Sequence, residues 1–141
     1  MRSATVLLIL LALSACAATP VVIPAENRGY SQALLERINL YRIEHGLTPL
    51  RPDPGLARLA RDHCAEMFQR QKMNHRHFKD RRQQSGSRVC IENVGWNFAS
   101  PLQLFDGWRQ SRGHDRNMLE DGVTRVGVAE IGRYVTYFAC D

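Results

Sequence analysis

The sequence predicts an α+β domain in which helices cover a small antiparallel sheet. Three observations carry this. Asp53-Pro54 and Ser100-Pro101 each place a side-chain acceptor before a proline, the pattern of a capped helix start. Residues 126–130 and 134–139 alternate in strand fashion around Gly132, as the arms of a hairpin do. The order of segments is helix, helix, strand, helix, hairpin, which packs as helices on an antiparallel sheet.

The chain has 141 residues, 44% hydrophobic and 23% charged. That is the length of one domain and the composition of an ordinary globular one. It is long enough to bury a core of its own. The net charge of +5 mildly favours anionic surfaces and does not indicate nucleic-acid binding. We expect a monomer with no nucleic-acid partner.

Residues 1–15 read as an export signal. Arg2 is their one charge, residues 6–13 are an unbroken apolar run, and Ser14-Ala15 are small. The run is too short for a bilayer core of ~30 Å, which needs about 20 apolar residues. Leu13-Ser14-Ala15-Cys16 resembles the bacterial lipobox. The resemblance implies cleavage before Cys16 and lipidation of its thiol; an ordinary secretory signal is the alternative. Ala17 is not an acidic retention signal, which leans toward the outer membrane or cell surface over a purely periplasm-facing site. Residues 16–29 then form the lipidated Cys and a proline-containing tether. Residues 30–141 form the domain.

Ser31 can cap a helix to about His45, with an apolar stripe of Leu34, Leu35, Ile38, Tyr41 and Ile43 and a stop at Gly46. Pro49 and Pro52 make residues 47–52 extended. The Asp53-Pro54 helix carries Leu56, Leu59, Ala60, Cys64, Met67 and Phe68 at helical spacing, bordered by His63. From Gln69 to Ser87 the period fails. Arg70, Lys72, Arg76, Lys79, Arg81 and Arg82 face one acid, Asp80, which reads as a basic loop. A solvated surface is the plain reading of this loop; contact with phospholipid head groups is the functional one. Residues 88–94 read as a strand. In the Ser100-Pro101 helix, Leu104, Phe105 and Trp108 share a face. Gly113 ends that region, and residues 114–119 read as one more turn.

Cys90 and Cys140 lie on or beside the expected strands, where neighbouring chains can bring them together, so we expect a Cys90–Cys140 disulfide. Spacing alone leaves other pairings open. Cys64 sits on an apolar helix stripe and reads as a buried free thiol.

Several polar residues have no packing task. They are Met73-x-His75, Glu92-Asn93-Val94-Gly95 and Trp108-x-x-Ser111-x-Gly113-His114-x-x-Asn117-x-Leu119. With Asn39-x-x-Arg42, Gly46-Leu47-x-Pro49-Leu50 and Val126-Gly127-Val128, and in this order, they resemble the CAP superfamily. That superfamily includes cysteine-rich secretory proteins, plant pathogenesis-related proteins and many bacterial secreted proteins. The resemblance runs from about Ser31 to the end of the sequence. It implies a three-layer α-β-α sandwich with a cleft lined by His75, Glu92 and His114. His77 rivals His75, but with His75 chosen, Phe78 and Asp80-Arg81 fall where bacterial relatives carry similar residues. Many members add a second glutamate to the cleft; that position here is Ser111. Asn93 and Asn117 read as satisfying backbone groups. Trp96 and Trp108 read as core or cleft wall.

Three functions follow. The first is an exported, lipid-anchored, non-enzymatic envelope module whose cleft binds a lipid, glycan or envelope protein. The second is a metal-assisted, peptidase-like hydrolase, with His75, Glu92 and His114 as a Zn set that keeps an open position. A structural reading stands beside both, in which Glu92 accepts hydrogen bonds or pairs with an imidazolium and the trio simply fixes the loops around the cleft, with no cofactor. A lipoprotein whose domain is a spacer is the third function.

Overall fold

A computed structural model describes residues 20–141. The export signal, the lipobox and Cys16 lie outside the described residues. Residues 20–27 have no regular structure, and the first helix, α1 (Arg28–Glu44), opens earlier than Ser31. Its cap is Asn27, whose side chain accepts from the Tyr30 amide at 3.1 Å. Ser31 is instead buried one turn in. The expected stripe also needs one exchange. Ile43 is 55% exposed, while Arg42 is 1% exposed. Arg42 is held by carbonyls: Nε donates to Thr48 at 3.0 Å, and Nη1 donates to Met118 at 2.9 Å and Glu120 at 2.7 Å. Asn39, one turn earlier, exchanges two hydrogen bonds with the Leu50 backbone. The Asn39-x-x-Arg42 pattern thus fastens α1 to the segments that follow it.

Strand β1 (Arg51–Pro52) leads into α2 (Pro54–Arg70). Asp53 caps α2 by accepting from the Leu56 amide at 2.9 Å, and its other oxygen pairs with Arg125 at 3.0 Å. The basic segment is not all loop: it contains α3 (Phe78–Ser85). Strand β2 (Cys90–Trp96) follows, then α4 (Pro101–Gln110), capped by Ser100. Ser111 rather than Gly113 ends α4, and Gly113 lies inside α5 (Arg112–Met118). The hairpin is β3 (Arg125–Ile131) and β4 (Tyr134–Cys140).

The sheet order is β1-β3-β4-β2. The hairpin and β2 are antiparallel as expected. β1 adds a short parallel pairing, Arg51 with Arg125 and Pro52 with Val126, so the sheet is mixed. Side chains of successive strand residues point to opposite faces, and each face has its own core. Val126, Val128, Val135, Tyr137 and Ala139 pack against α1, α4 and α5. Val94, Ala129, Ile131, Phe138 and Cys140 pack against α2. The result is a three-layer α-β-α arrangement. Among the described residues, every member of both clusters lies between Tyr30 and Cys140. Gly127 shows how closely α2 lies on β3: a Cβ there would come within 2.1 Å of the Leu56 carbonyl carbon. Only glycine fits such a backbone approach.

Cys90 and Cys140 are register partners on β2 and β4 and form the expected disulfide, with Cα atoms 4.1 Å apart. Cys64 is free and buried. Its thiol donates toward Ala129 O and Thr136 Oγ1, and burial pushes its pKa up to about 12. It is an inert core thiol.

Candidate functional site

β2 is an edge strand, and the site wraps around that edge. Alternation points Glu92 toward α2 and α3, and Asn93 toward α5. Glu92 is 5% exposed, so its charge needs partners. Arg81 of α3 supplies them. Its Nε donates to Oε2 at 2.8 Å and its Nη2 to Oε1 at 2.9 Å, the two-pronged geometry that guanidinium and carboxylate share. Arg81 Nη1 donates to the Arg76 carbonyl at 2.7 Å. His75, in the loop between α2 and α3, donates from Nδ1 to Glu92 Oε1 at 2.9 Å. Its Nε2 has no protein partner among the described residues. His77 instead pairs with Asp80 at 3.0 Å.

His63 of α2 is the fourth member of this network. Its side chain is fully buried, and Nε2 lies 3.8 Å from Glu92 Oε1. Nε2 donates to the Asn74 carbonyl at 2.8 Å, which leaves Nδ1 deprotonated and without a partner. Burial, with the Arg81 charge adding to it, holds the pKa of His63 below the ordinary value, against the pull of Glu92.

α5 supplies the other wall. His114 Nδ1 lies 2.9 Å from Ser111 Oγ, so the residue at the second-glutamate position contacts the histidine without adding charge. Burial, together with the neighbouring His75, lowers the pKa of His114. Two side-chain amides tie this wall to β2. Asn93 donates to His114 O at 3.0 Å, and Asn117 donates to Glu92 O at 3.1 Å and to Asn93 Oδ1 at 2.9 Å. Both asparagines thus satisfy backbone groups, between strand and helix rather than within turns. Trp108 is buried and donates to Val94 O at 3.2 Å. Trp96 is not core: it is 51% exposed and stacks on Tyr134 beyond the cleft. Between the walls, His75, Phe78, Cys90, Ile91, Glu92 and Asn117 line a depression of about 350 Å³.

The arrangement brings His75 directly onto Glu92, while His114 stands on α5 against Ser111. It does not offer a zinc set. Among the described residues no three His, Cys, Asp or Glu side chains are arranged to hold a metal ion. Both Glu92 oxygens are engaged by Arg81, and a guanidinium in that position repels a cation. His75, Glu92 and His114 as they stand therefore do not fit zinc. Sequence reasoning placed Arg81 in a solvated loop and His63 at the border of a stripe. The one signal for Arg81 was its match, with Asp80, to bacterial relatives.

A three-layer α-β-α domain of helices on a four-stranded mixed sheet is the fold of the CAP class. A family model described as CAP, the cysteine-rich secretory protein family, matches residues 35–140, and the chain belongs to that family. Two Bacillus subtilis proteins are similar in sequence. The uncharacterized membrane protein YlbC is 29% identical over 110 residues, covering 73% of this chain and 32% of its own length. The uncharacterized protein YkwD is 25% identical over 115 residues, covering 77% and 45%. The chain thus spans less than half the length of either. Among solved structures, an extracellular SCP-domain protein from Bacillus anthracis matches with a TM-score of 0.76 at 24% identity, covering 80% of this chain and 40% of that one. A cysteine-rich secretory protein from Staphylococcus aureus gives 0.74 at 21% identity, covering 81% and 38%. An outer surface protein from Borrelia burgdorferi gives 0.72 at 14% identity, covering 83% of this chain and 98% of its own. These likenesses are of fold.

Proposed function

We propose that this is an exported CAP-domain module of the cell envelope that binds a ligand in the His75–Glu92–His114 cleft without transforming it. The observation that carries the reading is the Arg81–Glu92 ion pair. A carboxylate held on both oxygens by a guanidinium is a poor general base and a poor metal ligand. What remains in the depression is a set of polar edges, His75 and Asn117, beside the apolar Phe78 and Ile91. To these we add the ring of His114, held at Nδ1 by Ser111, from the α5 wall. Such a set suits a neutral polar ligand with an apolar face, such as a glycan. A hydrolase would need Glu92 free, or a base that Ser111 does not supply.

Zinc titration of residues 20–141 by calorimetry tests this, with His114→Ala alongside. We expect no stoichiometric binding in either. A one-to-one site that His114→Ala removes would restore the hydrolase reading.

The anchor is the second part of the proposal. Lipidation at Cys16 would hold the domain at a membrane, and the extracellular and outer-surface character of the structural relatives supports export. The tether is shorter than residues 16–29, because Glu26 pairs with Arg61 at 3.1 Å and the Asn27 amide donates to Glu130 O. Ten residues, 16–25, then span at most roughly 35 Å. Detergent partitioning of the full chain against Cys16→Ser reads this directly. The wild type should enter the detergent phase and the variant the aqueous phase; equal partitioning would remove the anchor.

A further inference from the structure

Helix α3 has almost no apolar face. Arg81 points inward to Glu92 and Phe78 packs toward Phe138, which leaves the rest of the helix to solvent. Lys79 and Arg82 are exposed on it, and Arg88 is exposed where the chain turns into β2. With Gln83 and Ser87 these three cations line a concavity of about 490 Å³. Lys72 and Arg76 are exposed on the same segment. Among the described residues none of these five forms an ion pair, although ion pairs are plentiful elsewhere. The local acids are engaged. Asp80 pairs with His77, and the Asp141 side chain accepts from the Arg88 and Val89 amides. Two exposed apolar side chains flank the cations, Met73 at 48% and Val89 at 43% exposed.

We propose that this face of α3 and the turn into β2 is a docking surface for anionic phospholipid head groups. Unpaired cations attract any polyanion. Exposed apolar side chains next to two of these cations in the chain, Met73 after Lys72 and Val89 after Arg88, add contact with an interface that has hydrocarbon beneath its charges, and a soluble polymer lacks that. The concavity lined by Lys79, Arg82 and Arg88 offers a head-group phosphate three cationic side chains. The concavity shares no lining residue with the depression at Glu92, although Lys79 also borders a hollow that His75 lines. A single basic cluster binds reversibly; with an anchor it would fix which side of the domain meets the bilayer.

Sedimentation of residues 20–141 with vesicles tests this without the anchor, since that segment carries both core clusters. Vesicles of phosphatidylcholine alone are compared with vesicles also containing phosphatidylglycerol. We expect binding only to the second, weakening as salt rises. A lysine or arginine near such a surface is worth about fivefold in affinity. Lys79→Glu, Arg82→Glu and Arg88→Glu together should therefore reduce binding about a hundredfold or more, with the circular dichroism spectrum unchanged. Reversing Arg28, Arg112 and Arg133, exposed elsewhere, alters net charge equally and should leave most of the binding intact. Equal sedimentation with both vesicle types would overturn the proposal. So would an equal loss in the two triple variants, which would make the effect one of net charge. Tighter binding to soluble polyphosphate than to the anionic vesicles would reassign the face to a soluble polymer.

Discussion

At the scale of single residues, Glu92 illustrates what a buried charge demands. Moving a carboxylate out of water costs several kcal/mol unless hydrogen bonds replace the lost hydration. Arg81 and His75 provide three donors, and the guanidinium balances the charge. His63 sits beside this pair, and burial, with the Arg81 charge adding to it, disfavours its protonation against the pull of Glu92. The consequence is a pH dependence with a defined sign. The folded-state pKa of His63 lies below its unfolded value of about 6.5. Above that pH the residue is neutral in both states and contributes no slope. As pH falls below it, the unfolded chain takes up the proton first, so stability declines until the folded state also protonates. The slope from one such group is at most about 1.4 kcal/mol per pH unit. Glu92 and Glu66 oppose the shift and Arg81 reinforces it, so the full slope is an upper bound. Urea denaturation at pH 7, 6 and 5 should show the decline in the wild type. It should be shallower in His63→Gln, whose amide can still donate toward Asn74 O. His114 leaves a residual slope of the same sign. Parallel slopes in the two proteins would rule out His63 as the source.

Elements differ in how openly the sequence declares them, and the difference is physical. α2, α4 and the hairpin follow from local rules. Asp53-Pro54 and Ser100-Pro101 fix helix starts by capping, and alternation around Gly132 fixes the turn. The disulfide followed from the strands that carry it. α3 was illegible for the opposite reason. Its segment has no apolar stripe, and what docks it is one ion pair, Arg81 to Glu92 across 11 positions of sequence, with the single ring of Phe78 against Phe138. Periodicity detects burial of apolar surface and cannot detect a helix held by charge. The start of α1 shifted because Asn27 and Ser31 are both good caps. The Asn27 amide also donates to Glu130 O on β3, a long-range contact invisible to local pattern. The parallel pairing of β1 is likewise set by tertiary contacts: its two residues are too few to carry a pattern, and both are exposed. Of the candidate site, His75, Glu92 and His114 were named through the family resemblance of the motifs that carry them. Arg81 and His63, which decide what Glu92 can do, were not recognised as part of it. Their roles depend on α2 and α3 meeting over β2.

The whole molecule is organised around a four-stranded sheet whose central pair is the β3–β4 hairpin. Helices cover both faces, and β2 at one edge carries the cleft. An edge strand has a neighbour on one side only, so its attachment depends more on other ties. Here those ties come from two layers. Asn117 and Asn93 link β2 to α5, Arg81 links it to α3, and the Cys90–Cys140 bond locks its first residue to the last residue of β4. The bond closes a sequence separation of 50 residues, which includes α4, α5 and β3. Closing a loop of that length lowers the entropy of the unfolded chain by an amount worth about 4 kcal/mol at the upper end. In residues 20–141, replacing both cysteines by serine should therefore cost about 2–4 kcal/mol. The melting temperature should fall by about 10–15 °C for a domain of this size. Wild-type protein melted in reductant should match the variant, because Cys64 is buried among Ala129 and Thr136 and does not substitute as a partner. Thiol titration supplies the control: the native oxidised domain should show no reactive thiol, and the unfolded one should show Cys64 alone. A variant that melts within a degree or two of the oxidised wild type would mean that packing and the Arg81 and asparagine ties already hold β2 in place. The disulfide would then contribute little to the integrity of the cleft.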